Sequence, residues 1–190
     1  MNSVANFDGA GTVFRITAAG NLTTLYNFCS QTVCADGYEP LAGLALGADG
    51  NFYGTTYSGG VNSSGTVFKI TPDGTLTTLR SFCSTIEKGD CLDGGGPNGG
   101  LLQTSNLTFY ATAQYGGVHG EGAIYSVTLS GALTVLHSLC CQDGDQPRGS
   151  LIQGTTGDLY GTASSGGTMN SGAVFRISLQ NPAERIGGDR

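Results

Sequence analysis

Residues 11–29 read GTVFRITAAGNLTTLYNFC, residues 65–83 read GTVFKITPDGTLTTLRSFC, and residues 122–140 read GAIYSVTLSGALTVLHSLC. The match continues past these segments. PLAGLALGADGNFYGTTYSGGVNSSG (40–65), PNGGLLQTSNLTFYATAQYGGVHGEG (97–122) and PRGSLIQGTTGDLYGTASSGGTMNSG (147–172) align without a gap. A fourth opening, GAVFRIS, follows at 172–178. All length variation falls between the Cys that ends one segment and the Pro that begins the next: 11, 14 and 7 positions. The start-to-start spacings are therefore 54, 57 and 50 residues. A period of this size marks an architecture in which each unit buries its surface against the next.

Each unit reads as four strands: a near 41–47, b near 51–57, c at 66–71 and d at 76–83. The a–b and c–d connections are short and carry Gly, as hairpins require. Strand c is apolar on both faces. Phe14 and Ile16, Phe68 and Ile70, Tyr125 and Val127, and Phe175 and Ile177 lie on one face, with Val13, Val67, Ile124 and Val174 on the other. A sheet of that kind is packed between two others, and stacked four-stranded sheets are what a β-propeller provides. The expected fold is all-β and β-propeller-like, with a β-trefoil as the second architecture. Two strands, two full units and three further strands make about three four-stranded antiparallel blades, a partial propeller, since closure needs about four or more. The expected organisation is a leading segment 1–10, a single repeat domain 11–178 with units 11–39, 40–96, 97–146 and 147–178, and a tail 179–190.

Composition supports the same class. The chain has 33 Gly, and its apolar runs are short and broken by Asp-Gly steps, which suits short strands and tight turns. The net charge of −6 and the lack of any Lys/Arg cluster argue against nucleic acid as a partner. No apolar run reaches the roughly 18–20 residues of a membrane span.

The elements GTVFKIT, LTTLRSFC, DGxxP and DGNFYGTT, with the GG that follows, resemble the Gloeo/Verruco (GloVer) tandem repeat of bacterial surface and secreted proteins. The resemblance covers roughly residues 11–178. It implies kelch-like propeller blades, although the chain lacks the Trp of kelch blades. It implies an extracellular, secreted or cell-surface protein and supplies no catalytic residues.

Six cysteines fall in three pairs within the d–a loops: Cys29/Cys34, Cys83/Cys91 and Cys140/Cys141. Each unit meets the same local problem, so the expected disulfides are Cys29–Cys34 and Cys83–Cys91. Adjacent Cys140 and Cys141 are expected as free thiols, with a vicinal bond as the alternative. Metal ligation is not expected, because neither His nor a CxxC spacing accompanies the pairs. Paired cysteines imply an oxidising compartment, yet MNSVANFDGAG has no signal-peptide pattern. The preferred expectation is a piece of a longer protein. Neighbouring blades of that longer chain would then be its partners; the alternative is that two copies of this chain close one ring.

In a four-stranded meander the d–a and b–c loops share one rim. That rim gathers the candidate ligand-binding residues Asp36, Glu39, Asp93, His119, Glu121, Asp143 and Asp145. For Asp36, Asp93 and Asp143 the expected role is turn chemistry, with the carboxylate bonding its own backbone. Weak Ca²⁺ binding is the lesser possibility, and no other cofactor is expected. Tyr26, Arg80 and His137 share one repeat position and, being unlike, suggest an exposed outer strand. No nucleophile–His–Asp pattern is present. The functional expectation is a non-enzymatic extracellular interaction module, binding a protein or glycan through the rim. The alternative is a carbohydrate-active propeller enzyme using rim carboxylates.

Overall fold

A computed structural model of the chain describes residues 9–179. Residues 1–8 of the expected leading segment and 180–190 of the tail lie outside the described residues. The first blade holds β1 (Thr12–Ile16) and β2 (Leu22–Asn27). The second holds β3 (Ala45–Leu46), β4 (Phe52–Thr56), β5 (Thr66–Ile70) and β6 (Leu76–Ser81), paired in that order. A small hairpin, β7 (Ile86–Glu87) and β8 (Asp90–Cys91), fills the longest d–a loop. The third blade holds β9 (Gly95–Pro97), β10 (Leu102–Gln103), β11 (Phe109–Tyr115), β12 (Ala123–Val127) and β13 (Leu133–Ser138). The fourth holds β14 (Asp145–Pro147), β15 (Ile152–Gln153), β16 (Leu159–Ser165) and β17 (Ala173–Ile177). All pairings between these strands are antiparallel.

Strand a differs from expectation. It is broken into two short pieces, β9 with β10 and β14 with β15, each pairing with a different part of one strand b. In the second blade the first piece shrinks to a Tyr38–Ser58 bridge. The break is Gly-rich (NGG at 98–100, RGS at 148–150) and sits where the blades converge. Gly100 N–H donates to Ser150 Oγ at 2.8 Å, and the space beside Gly100 is bounded by Gly43 of the second blade. Strand a is thus the inner edge and strand d the outer one.

Three apolar cores lie between the blades. The first-to-second junction packs Val13 and Phe28 on Phe68 and Ile70. The second-to-third packs Tyr53, Val67 and Phe82 on Phe109, Tyr125 and Val127. The third-to-fourth packs Tyr110, Ile124 and Leu139 on Leu159, Phe175 and Ile177. Phe28 meets Phe68 edge-on at 5.1 Å, and Phe82 meets Tyr125 likewise at 5.1 Å, the arrangement favoured by the ring quadrupole. Burying side chains of this size contributes about 1.5–3 kcal/mol each.

The Gly that opens strand c and the Pro that opens the next unit form one contact. A β-carbon on Gly11, Gly65 or Gly122 would lie 2.3, 2.7 or 2.5 Å from Cδ of Pro40, Pro97 or Pro147. The residue before each Pro reaches across the same seam: Glu39, Gly96 and Gln146 N–H groups donate to the carbonyls of Ala10, Ser64 and Glu121. Gly65 also has φ +94° and faces the Thr56 carbonyl at 2.4 Å from where its β-carbon would be. Gly65→Ala should therefore destabilise by about 2 kcal/mol or more, combining backbone strain with the clash. Gly50→Ala, at φ +80° with nothing within 4 Å, should lose only about 1 kcal/mol. Urea midpoints of the two variants check the difference.

Candidate functional site

The rim forms as the topology requires. The second GG residue of each b–c loop donates to the d–a loop: Gly60, Gly117 and Gly167 N–H groups bond the carbonyls of Cys34, Cys91 and Cys141 at 2.7–2.9 Å. Cys141 thus occupies the place of Cys34 and Cys91. The disulfides Cys29–Cys34 and Cys83–Cys91 close the two longer loops, with Cα separations of 4.0 and 4.5 Å. The shortest loop leaves Cys140 and Cys141 as free thiols. The hydrogen bond to Cys141 is the main cause that raises the Cys140 thiol to about 11, with burial and nearby carboxylates adding to it. Cys140 is therefore a poor nucleophile at neutral pH.

The expected self-turn of the Asp-Gly steps is corrected. Asp36 accepts from Ser30 N–H, Ser30 Oγ and Gln31 N–H, five and six residues back, and from Tyr26. Asp93 does the same with Ser84 N–H, Ser84 Oγ, Thr85 N–H and Arg80. Both carboxylates clamp the start of the loop to its end and are buried, at 0% and 6% exposure. Asp143 keeps only a bond to His137 Nε2 at 2.7 Å.

The reading of Tyr26, Arg80 and His137 as merely exposed outer-strand positions is also corrected. Each holds its own unit's Asp, at 2.8, 2.9 and 2.7 Å. Three side chains serve because each presents a donor at similar reach. The physical device is a β-bulge repeated in all three c–d hairpins, at Val13/Phe14, Val67/Phe68 and Ile124/Tyr125. It breaks the alternation of strand d just before the donor and re-aims it, which a period-two reading of the sequence misses.

The other expected residues are scattered. His119 is exposed on a b–c loop. Glu121 is exposed at the third-to-fourth junction, where its carbonyl accepts from Gln146. Asp145 is half-buried in β14, with one carboxylate oxygen buried and unpartnered. Among the described residues no three or more His, Cys, Asp or Glu come together as a metal would need. An open cleft of about 510 Å³ lies on the outer side, between Gln31, Val61 and Arg80. Part of its polar wall is engaged, since Arg80 and Ser84 hold Asp93 and Asn62 holds the Phe82 carbonyl, while Thr78 Oγ1 and Arg80 Nε are buried without a partner.

The inner end of the rim is chemically richer. Glu39 is exposed, stands at φ +59° and accepts from Ser58 Oγ at 2.8 Å. Its carbonyl accepts from Tyr57 N–H. The Tyr57 and Tyr115 rings, from adjacent blades, meet edge-on at 6.4 Å. Gly96, at the repeat position of Glu39 and Gln146, is required there: a β-carbon would lie 2.3 Å from Tyr115 Cε1 and 2.8 Å from Tyr57 Cε2. Burial chiefly raises the Tyr115 pKa, and the Tyr57 and Tyr38 phenols add to it, so it stays a neutral donor. Asn98 Nδ2 donates to Gln114 nearby in sequence register, and Arg148 donates to Gln146 in the fourth blade. Glu39 was legible as one acid of the loop; the Tyr57–Tyr115 contact near it in the fold was not, because those rings come from strand ends of two different units.

The Asp93 clamp has a pH signature. Burial would raise its pKa, but the bonds from Ser84, Arg80 and the Ser84 and Thr85 backbone together outweigh it and hold the carboxyl below its ordinary range. A depressed folded-state pKa means that the contribution is full above the unfolded value of about 3.9 and is lost as pH falls through the lower folded value. Asp93→Ala should lower stability by about 3 kcal/mol at pH 7, leaving Arg80 and two N–H groups without their acceptor. Asp93→Asn should flatten the fall of the melting temperature below about pH 4.

The solved structures that this chain matches include two propeller-like proteins. One is a structural-genomics protein whose description names it provisionally as a gluconolactonase: TM-score 0.55, 14% identity, covering 93% of this chain and 55% of that one. The other is described as a gluconolactonase from Xanthomonas campestris: TM-score 0.57, 14% identity, covering 95% of this chain and 54% of that one. This chain thus spans about half the length of the structures it matches. No curated protein matches it in sequence. Likeness at this identity shows the shared fold, and the fold excludes the trefoil. Both matched proteins are described as gluconolactonases, which runs against the expectation of a non-enzymatic interaction module, and that expectation is not kept. The family itself is shown by sequence, for the profile of the Gloeobacter/Verrucomicrobia repeat matches residues 1–186, and the chain belongs to that family.

Proposed function

We propose that the chain is part of a sugar-processing propeller hydrolase acting on a small cyclic ester of a sugar acid, with its chemistry at the inner end of the rim. The observations that carry this reading are the exposed Glu39 carboxylate bonded to Ser58 and the backbone bond from Tyr57 N–H to the Glu39 carbonyl, which ties that acid to the strand whose Tyr57 ring meets Tyr115 of the next blade. The description of both matched propellers as gluconolactonases supports the same substrate class.

The chemistry needs one base. Glu39 takes a proton from water as the water oxygen attacks the acyl carbon. The ring C–O bond then breaks, and the proton passes to the departing alkoxide, leaving a hydroxy acid. Tyrosine faces pack on the C–H faces of a sugar, and their hydroxyls donate to its oxygens. Glycoside hydrolysis needs two carboxylates about 5–9.5 Å apart. Asp36 and Asp93 are buried in their clamps, so ester hydrolysis is the better-supported reaction. Two loop disulfides fit an oxidising compartment, and we place the protein outside the cytoplasm, secreted or at the cell surface.

The test is acid release from gluconolactone by the 190-residue chain, measured over the spontaneous rate. Glu39→Gln should lower kcat/KM by about a hundredfold or more, as for loss of a general base. Glu87→Gln, in the outer hairpin, should leave it unchanged. A Glu39→Gln variant as active as the parent, or no rate above background, would sink the reading.

A further inference from the structure

The two ends of the arc expose the two halves of a junction that the chain builds three times. On the first blade Phe14 and Ile16 are 56% and 60% exposed, and Leu22 is 60% exposed. Their repeat counterparts Phe68, Ile70, Tyr125 and Val127 are buried against the preceding blade. On the fourth blade Val174 is 72% exposed, whereas Val13, Val67 and Ile124 at the same position are 5% exposed or less, buried against the following blade. One end therefore carries an unfilled leading face and the other an unfilled trailing face.

We infer that the trailing face of the fourth blade seats the leading face of the first blade of a second copy, and that the reciprocal contact closes two chains into one ring. Three lines of reasoning meet here. The exposed faces are not merely apolar. They are the complementary sides of the Val13–Phe68, Val67–Tyr125 and Ile124–Phe175 junctions, in the same repeat register. The inner edges of three successive blades already converge through Gly43, Gly100 and Ser150, so the arc curves toward an axis. The structures that share the fold are about twice as long as this chain, which covers 54–55% of each. Two copies of the 190-residue chain make up a span of that length. A contact between unlike faces either closes or polymerises, and that span argues for closure. The surface known to carry the complementary residues is this chain's own.

The experiment is sedimentation velocity on the 190-residue chain across about 1–100 µM, with Ile16→Asp as the leading-face variant and Val174→Asp as the trailing-face variant. The parent should sediment at twice the chain mass. Each variant alone should weaken association at least tenfold. An equimolar mixture of the two should associate more tightly than either variant alone and less tightly than the parent, because the mixed pair keeps one of its two junctions intact, between the trailing face of Ile16→Asp and the leading face of Val174→Asp. Both substituted residues are exposed within one chain, so near-ultraviolet circular dichroism should match the parent. If Ile16→Asp departs from it, Leu22→Lys takes its place on the same face. A monomeric parent would overturn the inference. So would open polymers in place of a dimer, a dimer indifferent to Val174→Asp, or a mixture that associates no more tightly than either variant alone.

Discussion

Everything else in this protein depends on how closely one blade can approach the next. A glycine α-carbon and a proline ring meet at each seam, at Gly11–Pro40, Gly65–Pro97 and Gly122–Pro147. The glycines stand at φ between +94° and +121°, where a side chain would be strained as well as obstructed. With the seam closed at that point, Val13, Val67 and Ile124 reach the aromatic ring of the next strand c, and the apolar cores form. Pro suits the other side because it needs no donor there. The preceding N–H, that of Glu39, Gly96 or Gln146, makes the cross-seam bond instead.

The loops are handled by a second repeated device, and it limits where function can sit. The Asp of each d–a loop is drawn inward to hold the chain entering the loop, with a donor from the outer strand. Two of these acids are buried, and four donors bond each of them. The third loop is the shortest, and there only His137 remains as partner. An acidic rim on paper thus becomes, in the folded chain, a few free carboxylates. Glu39 is set apart from the others by its backbone bond to Tyr57, whose ring meets that of Tyr115. The two tyrosines lie at the ends of strands b from neighbouring blades, where the inner edges crowd together, and Gly96 leaves room for them to meet.

Much of this was legible in the residues. The spacing of GTVF, DG and Pro gave four-stranded units, and the double-faced apolar pattern of strand c implied sheets on both sides. Local pairing of Cys29 with Cys34 and Cys83 with Cys91 followed from each unit repeating its own loop. These inferences succeed because they rest on periodicity and short chain separations, which sequence records directly. The break in strand a was harder to see, since PLAGLALG and PNGGLLQT read as continuous runs until the neighbouring blade's backbone claims the space beside Gly99.

The sequence by itself determined the blade, the order of its strands, the rim that its loops share and the two cysteine bridges. Tertiary structure alone decided which acids remain available. A carboxylate's fate depends on donors brought to it by a bulge in another strand, and neither the bulge nor the approach leaves a periodic trace. The same holds for the Tyr57–Tyr115 contact near Glu39, where side chains from two units meet only because the blades converge at their inner edges.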